Sequence, residues 1–545
     1  MVREETDVVV VGAGLGGLST AVFLGLHGVP ALVVDRHPST SVQPKARGQN
    51  PVVMEGLRAA GVDQAILDAS PPGRAAMTIA ISRSMAGPVL HSFTEEMPDI
   101  TAYSPAPFGM ASQAKAEAAL AARARELGAR VSFNTRCESV TQDADGVTVT
   151  LCDVQSGRER EVRARYLVAA DGHKGGLREL AGIGAHGRGT FERTTTVRFL
   201  ADLTAYAGQD AVVLHYMQNP ELPGGTGVIV STDNPGEWVA GMSVDPDRDD
   251  AATAGIIRTL VGVPDLELDV LDGATWEYAH RLADRFRTGR VLLVGDAAHL
   301  MPPTGGQGGN TAVLDGYHLG WKLAAVIRGQ AGPALLDSHD TERRPFAEAV
   351  CEWQVANLVV RQRPDLADDS IGEPMDPIAL LFGYACPDGA FVKETAPGAP
   401  DSLFDDPNDP SGRPGTRVPH AWLRGPGGPV SPRQLLGPHF LVLTGAPDGL
   451  SAAEKAAAEL DVPLRAYSVR AGAGADAGAG SGSGPGAGID AAIGPNELVD
   501  PDGGWARRSG VGTGGTVLVR PDGLVAWRGP DPAELGAALR AVLRR

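Results

Sequence analysis

Two glycine clusters, far apart in the chain, have the makeup of turns that hold phosphates and flat rings. Near the N-terminus, Gly12, Gly14 and Gly17 follow the apolar run 7–11 and precede Leu18, Ala21, Val22 and Leu26, which recur at helical spacing. That context suits a dinucleotide. Gly12 permits the tight turn, Gly14 lets backbone approach a pyrophosphate, Gly17 lets helix pack on strand, and the helix N-terminus faces negative charge. Asp35, eighteen residues beyond Gly17 at the end of another apolar run, is placed to accept hydrogen bonds from a ribose diol. An ordinary βα turn is the bland alternative, and this cluster alone does not separate NAD from FAD.

The second cluster does. Gly295-Asp296 ends a buried run, and 297–303 leads to Gly305-Gly306-Gln307-Gly308-Gly309-Asn310, which opens a helix marked by Val313, Tyr317, Trp321, Ala324 and Ile327. Asp296 offers an acceptor to a ribityl chain, and the glycines leave room beside a tricyclic ring. The helix N-terminus puts positive partial charge near the flavin N1 and C2=O. A second phosphate loop is the competing reading.

Further candidates are weaker. His215 and Tyr216 are neighbours on an expected strand, so only one can face a cavity; either could orient or deprotonate a phenol, and either could be structural. Trp276, Tyr278 and Arg281 read as packing.

The elements around these residues imply a mixed α/β and α+β fold. A Rossmann-like FAD-binding domain is expected from 1–75, 101–185 and 282–362. Short strands near 195–200, 212–217, 227–231 and 238–243 predict an inserted antiparallel sheet for substrate, drawn from 76–100 and 186–281. Residues 363–410, rich in Pro, Asp and Gly, read as a connector with a short helix at 377–384. A last unit occupies 411–545, within which 471–488 is nearly all Gly, Ala and Ser and reads as a surface loop.

Composition narrows the function classes. The 545 residues are 43% hydrophobic and 21% charged, ordinary globular usage, so wholesale disorder is excluded. With 48 basic against 66 acidic side chains the net charge is −18, which disfavours nucleic acid and anionic membranes. The four cysteines lack CxxC spacing, so neither a disulfide framework nor a metal site is expected and a reducing cytoplasm fits. No run of about 18 apolar residues suggests a membrane span.

Gly12-x-Gly14-x-x-Gly17, Asp171-Gly172 and Gly295-Asp296, in that order, resemble the three fingerprints of the para-hydroxybenzoate hydroxylase-like flavoprotein monooxygenases. The resemblance covers about 1–360. Residues 411–545 are similar to the thioredoxin-like tail of the phenol hydroxylase and aromatic polyketide hydroxylase branch, and Gly305–Lys322 resembles the polyketide enzymes. The resemblance implies Arg36 near the adenosine, Gln113 near the ribityl-pyrophosphate, the Cys137 backbone against adenine, and Asp171 serving both FAD and a passing NADH or NADPH. It also implies Arg47 beside flavin and substrate, Pro302 at the reactive edge of the ring, and Gly308, Gly309 and Asn310 around it.

The activity implied is hydroxylation of a polycyclic phenol by O₂ through a flavin C4a-hydroperoxide. Baeyer–Villiger oxygenation, a dehydrogenase, and a non-catalytic FAD-binding partner are the alternatives; a homodimer is possible. Two departures stand out. Lys174-Gly175-Gly176 replaces the serine that usually precedes Arg178, and the tail has no cysteine after Cys386, so it cannot exchange dithiols.

Overall fold

Residues 4–41, 47–70, 77–93, 99–207, 212–243, 249–394, 402–472 and 493–545 are described in the computed structural model; most of 471–488 lies outside them. Five helices matter to the site: α1 (Leu15–Leu26), α2 (Gln113–Glu126), α3 (Asp250–Val261), α4 (Gly308–Ile327) and α5 (Ser338–Arg361).

The first sheet is built on Glu4–Val11, which lies parallel to Leu32–Val34 on one side and to Glu159–Ala169 on the other. Val291–Leu293 is parallel beyond the latter. Four consecutive valines, Val8 to Val11, suit a strand covered on both faces. The spacing in α1 marks one apolar stripe, yet Gly16 to Gly25 are all buried, because α4 lies along the helix as well. Backbones meet there: a Cβ on Gly316 would sit 2.3 Å from Ser19 Oγ, and one on Gly320 would sit 2.5 Å from Phe23 Cβ.

The second sheet has eight strands, from His299–Leu300 through Asp269–Ala283, Ala185–Leu200, Glu237–Met242, Thr226–Ser231 and Val212–Gln218 to Met77–Ser82 and Val89–Ser92. It is antiparallel except where Val212–Gln218 runs parallel to Met77–Ser82. One face carries Val213, Met217, Ile229 and Ala240 against Ile256, Ile257 and Leu260 of α3. The other face turns toward α5.

A third, mixed sheet of seven strands between Leu423 and Gly529 forms the C-terminal unit, with Phe440–Thr444 and Leu464–Ala471 parallel at its centre. The 363–410 stretch follows α5, where the Tyr384 hydroxyl donates to the Glu342 carbonyl at 2.5 Å.

The tail is joined to α4 by buried charge. Glu342 accepts from Lys322 Nζ at 2.6 Å and from Arg520 Nη1 and Nη2 at 2.6 and 2.8 Å. Arg520 also pairs with Asp522, whose carboxylate accepts from Trp321 Nε1 at 2.8 Å and lies 2.9 Å from His318 Nδ1. The side chains of Lys322, Glu342, Arg520 and Asp522 have no exposure at all, a situation that only mutual compensation permits. Two cations balance two acids, which leaves no charge for a metal among them.

Candidate active site

The Gly12 turn is fixed by close contact. Its φ is +112°, and a Cβ there would sit 2.0 Å from the Ala170 carbonyl oxygen; one on Gly17 would sit 1.9 Å from the Gly12 oxygen. Gly14 is less crowded, the nearest atom to a Cβ there being Glu117 Oε1 at an ordinary contact distance of 3.8 Å. Asp35 braces this turn: Oδ2 accepts from the Ala13 amide at 2.7 Å and Oδ1 from the His37 amide at 2.8 Å. Arg36 is exposed beside it, and its charge reaches Asp171.

Asp171 is the acid of this groove whose carboxyl is pushed upward. Burial pushes its carboxyl up to about 6, against the opposing Leu177 amide, which donates to Oδ2 at 3.0 Å. Its Oδ1 is buried and has no partner among the described residues. The glycines at 175 and 176 now have a reason. A Cβ on Gly175 would sit 1.8 Å from Asp171 Oδ2, and the left-handed Gly176 turns the chain so that the Leu177 amide meets the carboxylate. Cys137 lies close by; burial first, then the charge of Asp171, pushes its thiol up to about 12, which keeps it protonated.

The two glycine clusters converge. A Cβ on Gly16 would lie 3.5 Å from Gly295 Cα. The Gly295 amide donates to Asp315 Oδ2 at 2.9 Å, and that carboxylate is held by His299 Nε2 at 2.7 Å and Arg343 Nε at 2.9 Å. His299 and Arg343 keep Asp315 ionised well below the usual carboxylate range despite its burial. Asp296 is exposed and lines a cleft of about 340 Å³ with Gly172, His173 and Arg281.

At the ring side, Asn310 ties the start of α4 to the strand Arg47–Gln49. Its Oδ1 accepts from the Asn50 amide at 2.9 Å, and its Nδ2 donates to Gly306 O at 3.0 Å and Gly48 O at 3.3 Å. Gly308 and Gly309 belong to the first turn of the helix, where amides have no intrahelical acceptor. Arg47 pairs across the small ribbon with Ser112, the residue before Gln113. Gln113 Nε2 donates to Glu117 Oε1 at 2.7 Å, which places both under the Gly14 turn. The Arg47 guanidinium is ion-paired with Asp233 of the second sheet.

One helix joins this region to the second sheet. Within α5, Gln354 Nε2 donates to Pro302 O at 2.6 Å and its Oε1 accepts from the Gln307 amide at 2.8 Å. Trp353 fills the space beside Gly305, where a Cβ would meet its ring at 2.2 Å. Seven residues beyond Gln354, the Arg361 guanidinium lies 6.0 Å from the Tyr216 ring centroid, and Arg361 O accepts from Gln218 Nε2 at 3.2 Å.

This placement corrects the expectation for His215. Strand alternation puts His215 with Val213 and Met217 on the α3 side, where its Nδ1 lies 3.1 Å from Ser82 Oγ. Tyr216 takes the opposite face, toward α5. Pairing of the strands puts Trp276 and Tyr278 on that same face, their rings 4.7 Å apart. His215 therefore lies outside the catalytic and substrate-facing set.

Sequence reasoning missed Asp315, His299, Arg343, Gln354, Asn50, Gln307 and Glu117. A polar residue inside an otherwise apolar helical stretch, such as Asp315 between Leu314 and Gly316, is the one signal that could have pointed to them.

The groove suits FAD on its own evidence: a buried carboxylate oxygen without a partner among the described residues, open space above Gly306, and first-turn amides of α4 that lack an intrahelical acceptor.

Similarity to known proteins identifies the family. A family model described as an FAD binding domain matches residues 5–354, and one described as the C-terminal region of aromatic-ring hydroxylases matches 411–545. The chain is 38% identical to aklavinone 12-hydroxylase RdmE of Streptomyces purpurascens over 99% of both chains. It is 35% identical to the tetracenomycin A2 monooxygenase-dioxygenase of Streptomyces glaucescens, covering 100% of this chain and 98% of that one. Among solved structures, aklavinone-11 hydroxylase in complex with FAD and aklavinone is similar with a TM-score of 0.89 at 37% identity, each chain covered completely.

Proposed function

The chain belongs to the FAD-binding aromatic-ring hydroxylases, and from that premise we propose that it adds one oxygen atom to a polycyclic aromatic polyketide. FAD is the resident cofactor. The balance is one aromatic C–H, O₂, NADH or NADPH and a proton in, and one phenolic C–OH, NAD(P)⁺ and water out.

The observation that carries this reading is the convergence at Gly16 and Gly295 of two turns, one suited to a pyrophosphate and one to a ring. When bound, FAD accepts hydride from the nicotinamide and supplies the oxygen electrophile. The chain's own residues do the rest. Asp171 Oδ1 would accept from a hydroxyl of the cofactor, and Asp35 with the Ala13 amide would hold the adenosine side. Asp296 would receive the ribityl hydroxyls, and the first turn of α4 would stabilise negative charge on the reduced ring. Arg47 would favour an anionic ring or phenolate. Gln354 fixes the Pro302 carbonyl, so the edge of the ring site is set by α5. Tyr216, Trp276 and Tyr278 would form the apolar wall against which the substrate rings stack and from which water is excluded.

Relatives named for aklavinone and tetracenomycin A2 support the substrate class. The test uses purified yellow protein whose flavin is released by acid as FAD. NADPH or NADH consumption must match O₂ uptake and yield a product heavier by one oxygen atom with a polycyclic phenol. Reduction that yields only H₂O₂ across such a panel overturns the reading.

A further inference from the structure

Arg47 is cationic, and its side chain is only 11% exposed; it faces an acid that belongs to the other domain. Asp233 stands in the turn between Thr226–Ser231 and Glu237–Met242 of the second sheet, and its own side chain is 10% exposed. Lys115 Nζ also lies 3.3 Å from Asp233 Oδ2, but Lys115 is 44% exposed and screened by water, so the Arg47 pair dominates. On its other side Arg47 is anchored by its strand: Gly48 O accepts from Asn310 Nδ2, and Asn310 opens α4. The guanidinium keeps one buried nitrogen, Nη1, without a partner among the described residues. Such a donor is costly in a dry site unless an acceptor arrives.

We propose that Asp233 is a positioning residue for Arg47: a turn of the substrate sheet supplies the fixed counter-charge that sets where the guanidinium sits and how much of its charge reaches the ring site. The inference rests on the reading of Arg47 as the cation beside flavin and substrate. The pair is neutral, so Arg47 is held in place without presenting a full unit of positive charge to the ring. The substrate sheet thereby acts on the flavin site through charge, at a point distinct from the aromatic wall.

Asp233→Asn keeps the shape and one acceptor while removing the charge. The expected result is an upward shift of the midpoint potential of bound FAD, which is a reduced-over-oxidised affinity ratio raised roughly threefold or more. Asp233→Glu returns the potential toward that of the parent, and Lys115→Met leaves it unchanged. In an Arg47→Met background Asp233→Asn shifts the potential by clearly less, because only the direct field of the carboxylate is then removed and no guanidinium is repositioned. A thermal double-mutant cycle on FAD-free protein gives an independent reading of the Arg47–Asp233 coupling, and Asp233→Ser replaces the Asn variant if that one does not fold. If Arg47→Met leaves the potential at the parent value, the role given to Arg47 fails. If Arg47→Met lowers it while Asp233→Asn is silent, or shifts it equally without Arg47, the inference about Asp233 alone is overturned.

Discussion

Replacing Glu342 by Gln isolates one charge in the seam between α4 and the tail. Gln keeps an oxygen for Arg520 and for the Ala390 amide, which donates at 2.7 Å, but it leaves Lys322 with no anion at 2.6 Å. Arg520 still has Asp522, whereas the fully buried ammonium loses its ion-pair partner and keeps only the more distant charge of Asp522. Breaking a buried pair this way costs about 3–5 kcal/mol. An upper bound follows from the lysine itself, which can escape by losing its proton. From an unperturbed pKa of about 10.4, that costs about 4.6 kcal/mol at pH 7. The bound has a signature. In the variant Lys322 is neutral when folded and protonated when unfolded, so the unfolded state binds more protons and stability rises with pH. Relative to the parent, the deficit shrinks by about 1.4 kcal/mol per pH unit between pH 7 and 9. Lys322→Met combined with Glu342→Gln restores neutrality around Arg520 and Asp522, and it recovers most of the loss. Denaturant unfolding of the two variants and the parent across that pH range is the assay. A deficit independent of pH, or a double variant no better than Glu342→Gln, refutes the charge accounting.

Gly12→Ala forces a Cβ to 2.0 Å from Ala170 O at a φ of +112°, so the variant purifies with little or no FAD, read from its visible absorbance. Asp171, raised to about 6 by burial, penalises the FAD-free fold once ionised, because the native state binds more protons than the unfolded chain between pH 4 and 6. The parent therefore loses stability as pH rises through that window, and Asp171→Asn does not; the two melting curves diverge by about 1–3 kcal/mol. For the two neighbours on Val212–Gln218, Tyr216→Ala raises the KM for the aromatic substrate about tenfold, whereas His215→Asn changes it less than twofold and acts on stability alone. Steady-state kinetics of the pair would show the faces reversed if His215 were the one to raise KM.

The glycine turns were legible because their requirement is local. Only a residue without a Cβ fits beside Ala170 O, the positive φ of +61° at Gly295 favours glycine, and the sequence states both outright. Asp171 and Asp296 were legible through their place after buried strands. The seam was not: Lys322 and Asp522 are two hundred residues apart, and charged side chains read as surface until the fold pairs them. Pro521-Asp522-Gly523 has the composition of a turn, whereas its task of capturing Tyr317, His318 and Trp321 depends on the fold. Which of His215 and Tyr216 faces the site was not legible, for a different reason. Alternation says that they oppose each other, but both faces of their strand are covered, by α3 and by α5, so burial alone could not choose.

Gln354 and Arg361 lie seven residues apart on α5, about 10 Å along its axis. The first holds the Pro302 carbonyl, proposed to lie at the cofactor's edge, and the second underlies Tyr216, on which substrate rings would rest. The helix is thus a ruler whose graduation is a fixed count of residues. An enzyme of this plan that must oxidise the same carbon in a longer or shorter ring system has to shift that floor relative to Gln354, and insertions in the distal strands would leave the measured distance as it is.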